Sequence, residues 1–451
     1  MKKHPSRRKF IQRTAVAIAA PTVVPSSVFG KNAPSNRINM AFVGLGNRGI
    51  GVMEAFLKHD DVQGMAVCDV AGHHFRRAMR DGKPWRSRDY GLTAGKEVVE
   101  KKYAEKKASG AYKGCATYHD FRELVTRDDI DAIQVATPDH WHAIITMAAL
   151  RAGKDVYCEK PMTHLFAEGQ AVYREVAKQK AVFQVGSQQR SDSKFQQGVE
   201  IVRNGLLGKI SRLEVGLPQG HNQPEGDATP KDPPADLDYN FWCGPSKLLP
   251  YMECRCHWSW RWHLNFGGGQ LMDWIGHHND IGHWGLGLEN SGPISVESKN
   301  WIMPETKVYN SAVDYDVISQ YEGGIEGIIS SRKQMGVKWI GEKGWVHVTR
   351  GKITASNEEW AKDGFVAGDW KTYKTVGHQR NFVDCVKSRK ETIAPAENGH
   401  RSITPGHIAF VSYDLGRKIK WDPTREKVIG DDAAQKKLMA LPYRGDWKLG
   451  A

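Results

Sequence analysis

The sequence predicts an α/β protein of two domains: an N-terminal Rossmann-type doubly wound parallel sheet and a different, α+β domain behind it. The chain has 451 residues, more than a single hydrophobic core usually serves. Between residues 36 and 186, short apolar runs alternate with helical patterns, as a parallel sheet requires. Beyond residue 290, several strand-like segments follow one another, which indicates a second kind of architecture.

The first βα unit has the pattern of a dinucleotide site. A strand over residues 37–43 runs directly into Gly44-Leu45-Gly46-Asn47-Arg48-Gly49, and a helical pattern follows. In this context the first glycine permits a tight turn, the second admits a pyrophosphate, and the third lets the helix meet the strand. The N-terminus of the helix then offers free N–H groups to phosphate oxygens.

The second strand indicates which cofactor this turn binds. Residues 64–68 end at Asp69, twenty residues beyond Gly49. A carboxylate at this position holds the adenosine ribose hydroxyls and repels a 2′-phosphate. We therefore expect NAD, and Arg76 and Arg77 leave NADP as the less favoured alternative.

Two further strands end in polar motifs. Residues 131–136 lead into Thr137-Pro138-Asp139-His140-Trp141-His142, and residues 155–158 lead into Glu159-Lys160-Pro161. A lysine at the C-terminal end of a buried parallel strand lies where open α/β sheets place their ligands. Pro161 stops the strand because it lacks a backbone donor. A surface Glu–Lys pair is the alternative interpretation of this motif.

A second chemical motif follows residue 266. Three glycines precede a predicted helix on which Asp273, His277 and Asp280 share one face. A carboxylate one turn from an imidazole is a plausible acid/base unit, because it can orient the ring. The alternatives are a satisfied core histidine and a metal pair. His278 and His283 do not supply a convincing set of further ligands, so we expect no metal.

A long segment, residues 218–263, is rich in proline and aromatic side chains. A loop of that length inside a compact domain is usually functional. Indole faces suit the C–H faces of sugar rings, and Arg255, His257 and Arg261 could bind hydroxyl groups. We assign most of the aromatic side chains to packing and Trp262 to the substrate.

These motifs, in this order and spacing, resemble the Gfo/Idh/MocA oxidoreductases, the family of glucose–fructose oxidoreductase and inositol dehydrogenase. The resemblance covers nearly all of the chain beyond residue 36. It implies a C-terminal domain with a large open, mainly antiparallel sheet, consistent with strand-like segments near residues 294–302, 314–321, 327–332 and 344–348. It also implies a homo-oligomer, either a dimer or a tetramer.

The resemblance implies roles for individual residues. In the family, the lysine of the EKP motif and a DxxxH pair form the reacting centre, and here these positions are Lys160, Asp273 and His277. Ile275 replaces the usual glycine two residues after the aspartate. We expect the cofactor to contact Gly44, Gly46, Asn47, Arg48, Gly49, Asp69, Thr137, Pro138, His142, Glu159, Lys160 and Gln188. We expect the substrate to contact Arg190, Trp262, Asp273 and His277.

The expected activity is hydride transfer from a carbohydrate or polyol hydroxyl carbon to a tightly bound nicotinamide. His277 would remove the hydroxyl proton, Asp273 would hold the ring or the substrate, and Lys160 would stabilise the reacting oxygen. A glycoside hydrolase or lyase that forms a transient keto-sugar is the first alternative. A carbohydrate-binding protein without turnover is the second alternative.

Residues 1–30 have the pattern of an export signal. A basic stretch with paired Arg7 and Arg8 precedes a mild apolar run, which is far shorter than the ~20 residues that span a bilayer. The paired arginines favour the twin-arginine route, which carries folded proteins, so we expect a periplasmic or otherwise exported protein with no membrane span after processing. A disordered basic tail is the alternative. The other expected divisions are 36–186 for the NAD(P)-binding domain, 187–430 for the substrate-binding, catalytic domain and 431–451 for a tail.

Charge and cysteine content exclude other classes. Removing the six cations of residues 1–30 leaves +7 of the formal net charge of +13. The remaining basic residues are interspersed with acids, without the basic stripe that tracks nucleic-acid phosphates. The seven cysteines are scattered and form no CxxC pair, so neither a zinc ribbon nor a disulfide framework is indicated.

Overall fold

A computed structural model describes residues 36–76, 79–80, 83–84, 87–105 and 113–449. The predicted export signal, residues 1–30, lies outside these residues. Among the described residues, no helix combines the length and the apolar character needed to cross a membrane.

The first sheet is the predicted parallel sheet. Its six strands run in the order β10-β9-β8-β1-β2-β7, and every neighbouring pair is parallel. Short apolar runs with both faces covered explain why these strands are almost wholly buried. The strands are β1 (Ile38–Val43), β2 (Val62–Cys68), β7 (Ala116–Tyr118), β8 (Ala132–Val135), β9 (Asp155–Cys158) and β10 (Phe183–Val185).

Helices and small arms surround this sheet. The helices are α1 (Asn47–Leu57), α2 (Leu92–Ala104), α3 (Phe121–Val125), α4 (Asp139–Arg151) and α5 (Phe166–Gln179). Two short ribbons lie between β2 and α2: β3 (His74–Arg76) pairs with β6 (Arg88–Tyr90), and β4 (Met79–Arg80) pairs with β5 (Lys83–Pro84).

The second sheet confirms the predicted large, mainly antiparallel sheet. Its nine strands run in the order β17-β16-β15-β11-β14-β13-β12-β18-β19, and only β11 and β14 pair in parallel. The strands are β11 (Ile210–Gly216), β12 (Ser295–Ile302), β13 (Asp314–Gln320), β14 (Glu326–Ser330), β15 (Gly336–Gly341), β16 (Gly344–Thr349), β17 (Lys352–Ala355), β18 (Ile419–Asp422) and β19 (Lys427–Val428).

The helices of the second half pack against this sheet and against the first domain. They are α6 (Ser193–Arg203), α7 (Tyr239–Cys243), α8 (Gly269–Leu286), α9 (His378–Ser388), α10 (Ala396–Leu415) and α11 (Asp432–Leu438). The indole N–H of Trp339 on β15 donates to the Gly282 carbonyl at 3.2 Å, which holds α8 on the sheet. The other side of α8 meets the first domain, where the hydroxyl of Ser187 donates to the Gly276 carbonyl at 2.8 Å.

The strand order explains where a ligand can bind. The chain crosses from β7, at one edge of the first sheet, to β8, on the other side of β1, so the direction of winding reverses between β1 and β8. In open α/β sheets the crevice at such a reversal, at the carboxyl ends of the strands, is the usual ligand site. The glycine turn follows β1 and the EKP motif follows β9, so both predicted motifs lie at that edge.

Candidate active site

A cavity of about 890 Å³ lies between the two domains. Its walls include the glycine turn, the carboxyl ends of β2, β8 and β9, and the start of α8. Fourteen of the sixteen residues predicted to contact cofactor or substrate line this cavity or form the glycine turn beside it. Arg190 and Trp262 do neither.

The glycine turn has the shape that a dinucleotide needs. Gly44 has a φ of +86°, and a Cβ there would lie 2.6 Å from the backbone of Ala136. A Cβ on Gly49 would lie 1.8 Å from the Gly44 carbonyl oxygen, so the close contact of helix and strand depends on this glycine. At Gly46 a Cβ would meet no atom within 4 Å, which leaves open space beside the N-terminus of α1. A pyrophosphate fits this space.

Asp69 is tied to the glycine turn. One carboxylate oxygen accepts from the Leu45 amide at 2.6 Å, and the other accepts from the Ala71 amide at 2.9 Å. Burial raises the pKa of Asp69, although the two amide bonds oppose this rise. The carboxyl group therefore supports the shape of the turn, in addition to lining the end of the cavity where we predict the adenosine ribose.

Arg48, Glu159 and Gln188 form one polar cluster at the mouth of the cavity. Arg48 pairs with Glu159 at 3.0 Å. The Gln188 amide donates to the same Glu159 oxygen at 3.0 Å and to the Tyr157 hydroxyl at 2.7 Å. Burial alone would raise the pKa of Glu159. The charge of Arg48 outweighs this effect, so the pKa of Glu159 is lowered. Glu159 therefore remains an anion that fixes two of the predicted cofactor-contacting side chains.

His142 connects the two motifs of the first domain. Its ring nitrogens face the carbonyl oxygens of Pro161 and Thr137 at 2.7 Å and 2.9 Å. The ring is buried, and burial lowers its pKa. His142 thus holds the turn after β9 against the turn after β8. Thr137 and Pro138 line the cavity beside it, and the buried Thr137 hydroxyl has no hydrogen-bond partner in the described part of the chain.

Lys160 and Asp273 meet at the centre of the cavity. The Lys160 ammonium donates to the Asp273 carboxylate at 2.9 Å and to the Asp273 carbonyl oxygen at 2.5 Å. Arg261 donates to the same carboxylate oxygen at 3.0 Å. Burial alone would raise the pKa of Asp273, but the charges and hydrogen bonds of Lys160 and Arg261 lower it to about 2. Asp273 is thus a fixed anion that positions two cations.

His277 lies one helical turn beyond Asp273 but does not contact its carboxylate. Within the described ranges, neither ring nitrogen has a hydrogen-bond partner, and Nδ1 is buried. Burial, reinforced by the charges of Lys160, Arg350 and Arg48, holds the pKa of His277 well below 6.5. The ring is therefore neutral, and its nitrogens are free to accept a proton in the cavity wall. The expectation that Asp273 orients this ring is corrected, because Lys160 and Arg261 occupy the carboxylate.

The structure also corrects the expected roles of Arg190 and Trp262. Arg190 is 3% exposed and binds Asp280 through two hydrogen bonds of 2.6 Å and 2.8 Å, so the second acid of the α8 face is used in the interior. Trp262 is 1% exposed and stacks on His221 at 4.1 Å. Both side chains stabilise the interior of the second domain and do not reach the cavity. Their polar or aromatic character gave no sign of this burial.

Several cavity residues were not predicted. Asp139, the first residue of α4, is 3% exposed, and burial raises its pKa well above the ordinary range. Trp258, Trp260 and Trp274 supply the aromatic walls that were expected of Trp262. Arg350 reaches the cavity from the β16–β17 hairpin turn. Asp139 lies inside the TPDHWH motif, so its position in the sequence could have indicated a cavity residue. No local pattern distinguishes Arg350.

The long segment of the second domain contacts the first domain beside the predicted adenosine end of the cavity. The Gly72 amide donates to the Asp236 carbonyl oxygen at 2.9 Å, and the His73 amide donates to the Asp236 carboxylate at 3.0 Å. Beyond them, His257 stacks on His74 with ring centroids 3.9 Å apart, and Arg76 lies over Trp258 at 4.0 Å. The two domains therefore meet above the predicted ribose site.

No group of three or more His, Cys, Asp or Glu side chains within the described ranges is arranged to hold a metal ion. The cavity instead combines a glycine turn, a lysine, a neutral histidine and aromatic walls. This set of groups suits a dinucleotide and a polar organic substrate.

Two protein-family models match this chain. Residues 38–187 match the GFO_IDH_MocA model, described as "Oxidoreductase family, NAD-binding Rossmann fold". Residues 192–449 match the GFO_IDH_MocA_C2 model, described as "Oxidoreductase family, C-terminal alpha/beta domain". The two matches together cover nearly all of the described residues.

The individual proteins that resemble this chain share only a low sequence identity with it. Myo-inositol 2-dehydrogenase of Thermotoga maritima is 22% identical over 329 residues, covering 69% of this chain and 85% of that protein. A glycosyl hydrolase family 109 protein of Stenotrophomonas maltophilia is 26% identical over 210 residues, covering 47% of this chain and 41% of that protein. The aldose–aldose oxidoreductase of Caulobacter crescentus shares the fold, with a TM-score of 0.59 at 18% identity over 85% of this chain and 99% of that one.

Both family models match in sequence order, and the parallel sheet, glycine turn and second sheet agree with them. The chain belongs to the Gfo/Idh/MocA family of NAD-binding oxidoreductases.

Proposed function

We propose that the protein oxidises a hydroxyl carbon of a carbohydrate or polyol and uses NAD as the hydride acceptor. One observation carries the proposal: Lys160, fixed by Asp273, and the unoccupied ring of His277 line the same cavity as the glycine turn. When bound, NAD takes up the two electrons and the hydrogen of the C–H bond as a hydride. The hydroxyl proton must then pass to the protein.

His277 is the acceptor for that proton. Its ring is neutral at physiological pH because its pKa is far below 6.5, and it has no competing hydrogen bond among the described residues. Lys160 provides the positive charge that stabilises the substrate oxygen as its proton leaves. Asp273 keeps the ammonium in place and also fixes Arg261, because a single carboxylate oxygen accepts from both cations. Trp258, Trp260 and Trp274 offer apolar faces to a sugar ring.

The domain contacts beside the predicted adenosine end support a cofactor that stays bound between turnovers. Release would require the contacts of Asp236 and His257 with the first domain to open. A second, carbonyl-containing substrate would then accept the hydride and restore NAD. This cycle also suits an exported protein, since no free nicotinamide pool is expected outside the cytoplasm. We accordingly propose export by the twin-arginine route, on the basis of Arg7 and Arg8, and assembly as a dimer or tetramer.

The similarity to glycosyl hydrolase family 109 proteins favours one rival function. In this account the oxidation is transient. The ketone acidifies the neighbouring C–H bond, a base removes that proton, and the aglycone leaves with a proton to give an unsaturated ketone. In a hydrolase, water adds to the double bond before the hydride and a proton restore the hydroxyl group; in a lyase, the hydride returns without this addition. Both accounts use the same base and the same cofactor, so only the products distinguish them.

The first experiment identifies cofactor and products. The full chain is purified and denatured, and the released nucleotide is identified. The intact protein is then incubated with methyl glycosides, p-nitrophenyl glycosides and myo-inositol. A keto product without bond cleavage supports the dehydrogenase, and release of p-nitrophenol supports the rival. The absence of nucleotide and of any product contradicts both and leaves a binding protein.

Variants test the assigned residues. Lys160→Ala and His277→Ala are each expected to abolish turnover and leave the far-UV circular dichroism spectrum unchanged. Near wild-type rates in both variants would remove these residues from the mechanism. Cell fractionation tests export: replacement of Arg7 and Arg8 by lysine should retain the protein in the cytoplasm. Light scattering of the purified protein gives the oligomeric state.

A further inference from the structure

We propose that the substrate carries a carboxylate, as a uronic or aldonic acid does, and that Arg350 binds it. This inference rests on the proposed function, because it specifies the substrate of the same cavity. It depends on the distribution of charge around that cavity.

Arg350 stands near the proposed base. Its guanidinium lies over the Trp274 ring at 4.8 Å, and Trp274 in turn packs edge-on against His277 with centroids 5.7 Å apart. With the Gln189 carbonyl oxygen turned toward it, Arg350 donates to that oxygen at 3.2 Å, and the Gln189 amide donates to the His277 carbonyl oxygen at 3.1 Å. Arg350 is thus coupled to the reacting end of the cavity.

The other cations of this end already have carboxylate partners. Arg48 pairs with Glu159 at 3.0 Å, and Lys160 and Arg261 share Asp273 at 2.9 Å and 3.0 Å. Arg76 lies over the Trp258 ring at 4.0 Å, and Arg261 lies over the same ring at 4.4 Å. Within the part of the chain that the structure describes, no carboxylate lies within ion-pair distance of Arg350. The Arg350 guanidinium therefore has N–H donors that no carboxylate of the described residues accepts.

The remaining carboxyl groups of the wall do not balance this charge. Asp69 bonds two backbone amides, and Asp192 uses one oxygen to cap α6 at the Lys194 amide. Asp139 is buried, and burial raises its pKa well above the ordinary range, which favours its neutral form. Partial desolvation, followed by the charge of Arg48, lowers the pKa of Arg350, although the charges of Asp273 and Asp192, which form no ion pair with it, oppose this.

The chemistry of the guanidinium points to a carboxylate. One planar guanidinium binds one carboxylate through two parallel hydrogen bonds, and the two unit charges balance. A phosphate dianion would keep one unpaired negative charge, because the single guanidinium balances only one. Trp274 offers its ring to the sugar beside the acid group, so one substrate can reach Arg350 and His277 together.

Binding to the NADH-loaded full chain tests the inference without requiring turnover. Calorimetry compares methyl β-D-glucuronide with methyl β-D-glucoside at pH 8, where His277 is neutral. We expect the glucuronide to bind about 10- to 100-fold more tightly, as a charged hydrogen-bonded pair implies. Arg350→Met should abolish this preference, so that the two glycosides bind with similar affinity. Arg350→Lys should restore part of it.

Arg203→Met is the matched control, because Arg203 lies over Trp370 at 4.6 Å but outside the cavity. Equal affinities for the two glycosides in the wild-type protein, including no measurable binding of either, would overturn the inference. So would weaker NADH binding by Arg350→Met with an unchanged glucuronide preference, because Arg350 would then serve the cofactor. Glucuronide preference without hydride transfer would instead contradict the proposed function and leave this inference standing.

Discussion

The Lys160 ammonium and Asp273 are joined by two hydrogen bonds, at 2.9 Å to a carboxylate oxygen and at 2.5 Å to the backbone carbonyl. Lys160 follows β9 of the first domain, and Asp273 lies on α8 of the second. The contact therefore links the two domains at the predicted reacting centre. It also sets the electrostatics of the site, because Lys160 is, after burial, the largest cause of the low pKa of His277.

Replacing Lys160 by methionine should have two separable effects. Loss of the charge that stabilises the substrate oxygen should lower kcat about 10²- to 10³-fold. Loss of the same charge lets His277 keep its proton at a higher pH, so the acidic limb of the kcat/KM profile should shift upward. Steady-state rates between pH 5 and 9 give both quantities.

Lys160→Arg separates these effects. It keeps the positive charge, so the acidic limb should stay in place, whereas kcat should still fall because a guanidinium does not reproduce the ammonium geometry. An unshifted limb in Lys160→Met would show that the titrating base is not His277.

Asp139 and Asp273 form a second test, because burial affects both and their pKa values move in opposite directions. Asp139 is favoured as the neutral acid, so Asp139→Asn should keep at least about a tenth of the activity. Asp273→Asn should lose far more, because it leaves Lys160 and Arg261 without their shared anion. Rates of the two isosteric variants, measured side by side, check this. Equal losses would contradict the assignment of charge.

Local patterns were sufficient to predict most of the side chains that line the candidate site. The glycine turn, the EKP motif and the Asp273–His277 pair each lie within a short run of sequence, and each marks the end of a strand or the face of a helix. The parallel pairing of the strands in the first sheet follows from the same alternation. These features depend on neighbours in the chain, and sequence reasoning handles them well.

The residues that sequence reasoning missed depend on distant parts of the chain. Arg350 reaches the cavity only because β15, β16 and β17 pair at one edge of the second sheet. Arg190 was expected to contact the substrate, yet its partner Asp280 lies ninety residues away. Pairing across such separations leaves no periodic signal.

Arg190 yields a prediction about stability. Breaking its buried pair with Asp280 leaves an uncompensated charge, so Arg190→Met should lower the free energy of unfolding by about 3–5 kcal/mol. KM for the sugar should be unchanged in the folded fraction, because Arg190 does not line the cavity. Urea denaturation and steady-state kinetics measure the two effects.

Arg417→Met is the matched control, since Arg417 binds Asp431 through two hydrogen bonds at the surface. Exposed ion pairs are screened by solvent and contribute little to stability, so this variant should be nearly neutral. A raised KM with unchanged stability in Arg190→Met would return Arg190 to the substrate site.

Glu168 should make stability depend on pH. It is 1% exposed and accepts from the Leu165 amide at 2.8 Å and the Tyr443 hydroxyl at 2.6 Å. Burial raises the pKa of Glu168 to about 7, from an ordinary value of 4.5. The folded state therefore holds a proton that the unfolded state has lost, so this contribution is present below pH 4.5 and disappears as pH rises through 7. Over this pH range the free energy of unfolding should fall by about 3 kcal/mol because of Glu168.

Buried histidines give the opposite slope, because pKa values such as the value of about 4 for His164 favour the folded state as pH rises. The contribution of Glu168 is therefore isolated as the difference between wild type and Glu168→Gln in urea denaturation at pH 5, 6, 7 and 8. Relative to the variant, the wild type should lose stability across this range. Tyr443→Phe removes a bond that favours the carboxylate, so it should move the loss to higher pH. A difference that stays constant with pH would mean that Glu168 is already ionised in the folded protein at pH 5.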